Sequence, residues 1–123
     1  MKEAVKKVLV IGASENPERY SNMAVNRLLN KGYEVIPIGI KKGMIQNTEI
    51  LTGKPLLNNI HTVTLYLNPV RQVEYYDYIL QLKPKRIIFN PGAENPEFYQ
   101  LALRNNIEAI EACTLVMLST STF

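Results

Sequence analysis

A chain of 123 residues, 46% hydrophobic and 20% charged with a net charge of +3, has room for one globular domain with a real core and lacks the charge excess of a disordered chain. Its basic residues are dispersed, with Lys6-Lys7, Lys41-Lys42 and KPKR at 83–86 as the only clusters; no helix-turn-helix or aromatic RNP-like pattern accompanies them, so an anionic small molecule is the expected partner and nucleic acid is not. One cysteine, Cys113, and one histidine, His61, exclude an internal disulfide and a structural zinc site, and without a signal-like leader or a membrane-length apolar run the expected location is the cytoplasm, with no membrane partner.

The first element is the run KVLVI at 7–11, apolar and β-branched without alternation, as in a central parallel strand covered on both faces. It ends at Gly12. After a turn, Ser21 is expected to cap a helix with apolar positions Ala24, Val25, Leu28 and Leu29, stopped by Gly32 in the left-handed region. YEVIPI at 33–38 reads as a second strand, and Pro37, lacking an N–H, puts it at an edge or near its end. The stretch 39–59 is irregular, with a turn at Thr52-Gly53-Lys54-Pro55 and only a short extended piece near Ile50 and Leu51. TVTLYL at 62–67 is a third main strand, closed by Asn68-Pro69. One helix follows, with an inner stripe of Val70, Val73, Tyr76, Ile79 and Leu80 and with Glu74 and Asp77 on the wetter side. Residues 86–89 form a fourth strand ending in Asn90-Pro91-Gly92, and Asn95 caps a helix with Pro96 at its first position and Phe98, Leu101 and Ala102 facing inward. A short last strand at 107–111 is followed by an apolar segment, 115–118, expected to pack beneath the sheet. Alternating strands and helices joined by right-handed crossovers give an α/β fold, a Rossmann-like three-layer αβα sandwich with a five-stranded, mainly parallel sheet.

Ligands of such sheets bind outside the carboxyl ends of the strands, where strand order reverses. The first of these ends, 12–21 (GASENPERYS), combines small residues that let a backbone approach a pyrophosphate, amides at a helix's positive pole, the hydroxyls of Ser14 and Ser21, and the Arg19 fork. Gly12 also has a plainer reading, the tight turn of any strand-to-helix unit, and the three-glycine dinucleotide fingerprint is incomplete. A NAD-binding domain places an acid roughly 20 residues past its glycines; here the second strand runs into Ile38-Gly39-Ile40 and Lys41-Lys42, which favour an additional phosphate or simply form a solvated turn. The ends at 67–72 and 90–94 would line the cleft, or serve only as turns. No catalytic constellation or metal site is expected: His61 falls on the side away from the cleft, Cys113 has no activating base nearby in sequence, and Glu94 is a lone carboxylate.

These residues resemble the small stand-alone CoA-binding proteins, similar to the CoA-binding domain of the succinyl-CoA synthetase α subunit. The resemblance spans nearly the whole chain and rests on VLVIGAS at 8–14 followed by Asn16-Pro17, on LLNKGYEVIP at 28–37, on Gly53-Lys54-Pro55 before a strand, and on Pro91-Gly92 with Glu97. It implies binding of coenzyme A or an acyl-CoA, with the diphosphate on Gly12, Ala13, Ser14, Asn16, Arg19 and Ser21 and the adenosine part near the second and third strand ends; the second end supplies Pro37 and Lys41, and the later ends supply Asn68, Pro69 and Gly92. The 3′-phosphate of CoA would account for lysine where NAD binders carry an acid. Two departures stand out: Pro37-Ile38-Gly39-Ile40 replaces the usual Pro-Val-Asn-Pro, and Glu111-Ala112 precede Cys113 where many relatives carry Asp-Arg. Ligase activity is not expected, because the synthetase's phosphorylatable histidine belongs to a separate domain. The expectation is therefore a non-catalytic module over 1–123, a carrier, sensor or regulator, with a homo-oligomer left open. An NAD(P)-binding redox enzyme or sensor, and an interaction domain with a degenerate nucleotide site, are the alternatives.

Overall fold

Residues 5–123 are described by the computed structural model. Strand β1 (Lys7–Ile11) pairs in parallel with β2 (Glu34–Ile38) on one side and β5 (Thr62–Leu65) on the other. The sheet continues in parallel through β6 (Arg86–Phe89) to β7 (Glu108–Glu111), in the order β2-β1-β5-β6-β7. Val8, Leu9, Val10 and Ile11 are all fully buried: Leu9 and Ile11 enter one core and Val8 and Val10 the other, which is why the strand shows no polar alternation.

Helices α1 (Tyr20–Asn30) and α5 (Thr114–Ser119) cover one face, with Val25, Leu28 and Leu118 in its core. Helices α3 (Tyr76–Leu82) and α4 (Pro96–Arg104) cover the other, where Ile79, Phe89, Phe98 and Ala102 pack together. The protein is thus a three-layer α/β sandwich around an all-parallel sheet of five strands. Pro37 sits on edge strand β2; its carbonyl accepts the Leu51 amide at 2.9 Å, so the missing N–H lies toward the outer side and breaks no central ladder. Asn95 caps α4, its side chain accepting the Phe98 amide at 3.1 Å, with Pro96 in the first turn.

Three local expectations are corrected. Helix α1 begins one residue before Ser21, with Arg19 at the cap position and no side-chain cap, so Ser21 is a buried first-turn residue rather than the cap. Residues 39–59 contain a two-stranded hairpin, β3 (Gly43–Ile45) against β4 (Thr48–Ile50), and Leu51 bridges Ile38. The helix expected after Pro69 is broken into α2 (Pro69–Gln72), a 3₁₀ turn (Val73–Tyr75) and α3. Val70 and Val73, placed inside by periodicity, are 83% and 56% exposed, while Gln72 is fully buried. The reason is electrostatic: the Gln72 amide donates to the carbonyls of Leu67 and Ala93, both at 2.8 Å, and buried carbonyls of two loops outweigh one apolar stripe. The apolar segment after β7 does pack beneath the sheet: it forms α5, with Leu118 in the core and Thr64 Oγ1 and Thr114 Oγ1 2.8 Å apart.

Candidate functional site

Strand order turns around between β1 and β5, and at the carboxyl ends of these strands lies a cleft of about 580 Å³. Gly12 opens it with φ at +98°, in the region that favours glycine. A Cβ at Gly12 would lie 3.1 Å from the backbone carbon of Tyr66 and 3.3 Å from Leu67 Cδ2. The space left by its missing side chain is therefore filled by the neighbouring strand end, so the turn and its packing favour glycine here. The amides of Gly12 and Ala13 both donate to the Ile38 carbonyl at 2.9 Å, which pins the loop to the end of β2.

Beyond that point the backbone is open. Met23 is the first amide of α1 to bond back, onto the Arg19 carbonyl at 3.2 Å. The amides of Ser14, Glu15, Tyr20, Ser21 and Asn22 have no protein acceptor among the described residues. These donors stand at the positive pole of an 11-residue helix with no acid in its first turn. Around them the cleft is lined by the cationic side chains of Arg19, Lys41, Lys42 and Arg71, the acids Glu15 and Glu74, and the apolar or aromatic surfaces of Tyr20, Ile40, Leu67 and Tyr75.

Of the residues expected at the site, Gly12, Ala13, Ser14, Arg19, Ser21 and Lys41 meet in this cleft. Asn16, Pro37, Asn68, Pro69 and Gly92 are not among its lining residues. Asn16 shapes the loop from within, its amide donating to Ser14 Oγ at 3.1 Å and its Oδ1 accepting the Glu18 amide at 3.0 Å. Asn68 caps α2 by accepting the Arg71 amide at 3.0 Å, with Pro69 at the first position. Gly92 turns with φ at +91°, and its amide donates to Glu94 Oε1 at 2.8 Å. At these ends the polar groups make turns, while the neighbours Leu67, Arg71 and Pro91 reach the cleft.

Tyr66 is a cleft residue that sequence reasoning missed. Its side chain packs on the α1 side of the sheet, and its buried hydroxyl has no hydrogen-bond partner of good geometry. Burial pushes its pKa up to about 12, only partly offset by the nearby hydroxyls of Thr114 and Thr64. The β5 and β6 ends are held by a second missed feature, a set of buried side-chain amides. Asn95 Nδ2 donates to Gln72 Oε1 at 2.9 Å and to the Tyr76 hydroxyl at 2.8 Å. Asn90 Nδ2 donates to the Leu65 carbonyl at 2.8 Å and its Oδ1 accepts the Thr114 amide at 2.9 Å. His61 lies at the opposite, amino-terminal end of β5, where its Nδ1 is 2.7 Å from Thr62 Oγ1. Its pKa is lowered by burial, then by the charges of Lys6, Arg86 and Lys85.

The profile of the CoA binding domain family matches residues 6–119. A crystal structure of an uncharacterized protein is 48% identical to the chain, covers 98% of it and 100% of itself, and superposes with a TM-score of 0.94. Two further solved structures share the fold: a hypothetical protein from Pyrococcus horikoshii OT3, 24% identical over 94% of this chain and 83% of its own, with a TM-score of 0.85, and a protein from Thermus thermophilus, 20% identical over 97% and 91%, with a TM-score of 0.84. Comparison with curated proteins finds no match. No helix among the described residues is long and apolar enough to cross a membrane. With a profile matched over nearly its full length, the chain belongs to the CoA binding domain family.

Proposed function

We propose that the chain is a single binding module for coenzyme A or an acyl-CoA, seated in the cleft between β1 and β5. The observation that carries this reading is the set of open amides at Ser14, Glu15 and the first turn of α1, facing a cleft that also holds Arg19, Lys41, Lys42 and Arg71. A diphosphate fits that donor set, since anions are favoured by unbonded amides at a helix's positive pole and by guanidinium forks. Tyr20, Ile40 and Tyr75 offer flat and apolar surfaces to the base or the pantetheine arm. Bound CoA would supply a thiol that carries an acyl group. The chain's own residues hold and orient it, in keeping with a carrier, sensor or regulatory module that performs no chemistry itself; His61 stands at the far end of the sheet from the cleft. A reducing compartment such as the cytoplasm suits its single thiol.

A nicotinamide dinucleotide is the second reading, favoured by one observation: Glu15 brings to the cleft the carboxylate that the end of β2 lacks. Calorimetry against CoA, acetyl-CoA, NAD and NADP at fixed ionic strength separates the two. CoA and acetyl-CoA should bind and the dinucleotides should bind more weakly or not at all, with CoA affinity falling on Arg19→Ala; tighter binding of NAD or NADP would overturn the CoA reading.

A further inference from the structure

Glu15 is the one residue of the loop after β1 whose side chain is fixed by a distant element. It crosses to the β3–β4 hairpin, where Oε2 accepts the Met44 amide at 2.8 Å. Its side chain lies so close to Gly43 that a Cβ there would displace Glu15 Cγ and Cδ from their present position. The hairpin is docked a second time at its tip: Gln46 Nε2 donates to Asn26 Oδ1 at 2.9 Å and to Asn30 Oδ1 at 3.1 Å. Asn26 Nδ2 donates to Asn22 Oδ1 at 2.9 Å, and Asn22 Nδ2 closes the chain on the Ser14 carbonyl at 2.9 Å. The hairpin therefore cannot drift from the loop without breaking bonds at both places.

This double docking fixes where a negative charge stands. The residues immediately before Gly43 are Lys41 and Lys42, which line the same cleft as Glu15. A phosphate drawn to those lysines meets their field reduced by a nearby carboxylate, and that carboxylate must break its bond to the Met44 amide to swing away from an incoming anion. The sign of the effect follows from Coulomb's law, and its size depends on solvent screening at the cleft mouth.

Resting on the CoA reading above, we infer that Glu15 is a specificity-determining residue of the cleft: it reduces the advantage that Lys41 and Lys42 give to a ligand's terminal phosphate, so that phosphorylated and dephosphorylated forms of the same nucleotide bind with closer affinities. Glu15→Gln isolates the charge, because the amide oxygen can still accept from Met44.

The test measures CoA and dephospho-CoA by calorimetry on the unaltered chain and on Glu15→Gln, at low and at high salt. The ratio of the two affinities should widen on the order of 3- to 10-fold in the variant at low salt, and the widening should shrink at high salt. If both ligands bind the unaltered chain and the ratio stays the same in the variant, or both weaken equally, Glu15 only holds the hairpin and this inference fails alone. If neither binds the unaltered chain, the CoA reading fails and takes this inference with it.

Discussion

The two halves of the cleft are built from the same unit, a parallel strand turning into a helix, yet they dispose of their polar groups in opposite ways. On the β1 side, the loop from Gly12 to Arg19 satisfies its first two amides on Ile38 and leaves Ser14, Glu15 and the first turn of α1 open. On the β5 and β6 side, Gln72, Asn90 and Asn95 are buried and turn inward, bonding the carbonyls of Leu65, Leu67 and Ala93 and the amides of Phe98 and Thr114. One half leaves its donors open; the other uses them to tie two loops together. Rigidity on one side is what lets open amides on the other side face a cleft of fixed shape, because a wall that moved would lose the geometry of any anion seat.

The largest effect should come from breaking the β1 half at Gly39. A Cβ there would collide with the Ala13 carbonyl oxygen, which is backbone and cannot turn aside. Gly39→Ala should lower the unfolding free energy by about 3 kcal/mol, read from denaturant melts, at the upper end of overpacking costs. A variant as stable as the parent would mean that the loop after β1 is not pinned to the end of β2.

Next comes the closed half. Gln72→Leu strips a partner from the part-buried carbonyl of Leu67 and the buried carbonyl of Ala93, and leaves Asn95 Nδ2 with only the Tyr76 hydroxyl. The expected loss is about 2 kcal/mol, since buried polar groups left without partners cost more than a hydrogen bond gains. If the cleft depends on that rigidity, ligand affinity should fall as well, although Gln72 does not line it.

Tyr66 sits at the seam between the halves. Removing its unpartnered hydroxyl in Tyr66→Phe should leave stability unchanged or raise it by up to about 1 kcal/mol near neutral pH. The alkaline limb sharpens this. With the phenol pushed up to about 12 in the folded chain from 10.0, the unfolded chain releases its proton first, so this part of stability is full below pH 10 and is lost as pH rises from 10 toward 12. That part of the loss should vanish in the phenylalanine variant.

The smallest effect lies at the amino-terminal end of the sheet. His61 has a lowered pKa when folded, so the unfolded chain binds its proton first and stability falls as pH drops from 6.5 toward the folded value. His61→Asn should flatten that slope slightly, because the ring is only part-buried, and should leave ligand affinity at neutral pH unchanged. A change in affinity would link the two ends of the sheet and blur the division between cleft and scaffold.

What could be read in the sequence followed the range of the forces involved. Central strand β1 was legible because burial on both faces removes polar alternation, and the Asn95-Pro96 start of α4 was legible because capping is settled within three residues. The β3–β4 hairpin was not, since strands of three residues carry no usable period and are held by Glu15, Asn26 and Asn30 from other elements. Val70 and Val73 were placed inside by a periodicity that the buried demands of Gln72 override. At the cleft, residues next to β1 were the more legible because loop, helix start and strand end are contiguous there. Asn68 and Gly92 show the limit: the same residue types make turns and make binding sites, and only the fold tells which.

The open half of the cleft is tested most directly by amide NMR spectra recorded while CoA is added. Backbone signals of Ser14, Glu15, Tyr20, Ser21 and Asn22 should move together and saturate with one affinity, while the side-chain amides of Gln72, Asn90 and Asn95 stay in place. Saturable shifts confined to other parts of the sheet, with these five amides unmoved, would contradict the assignment.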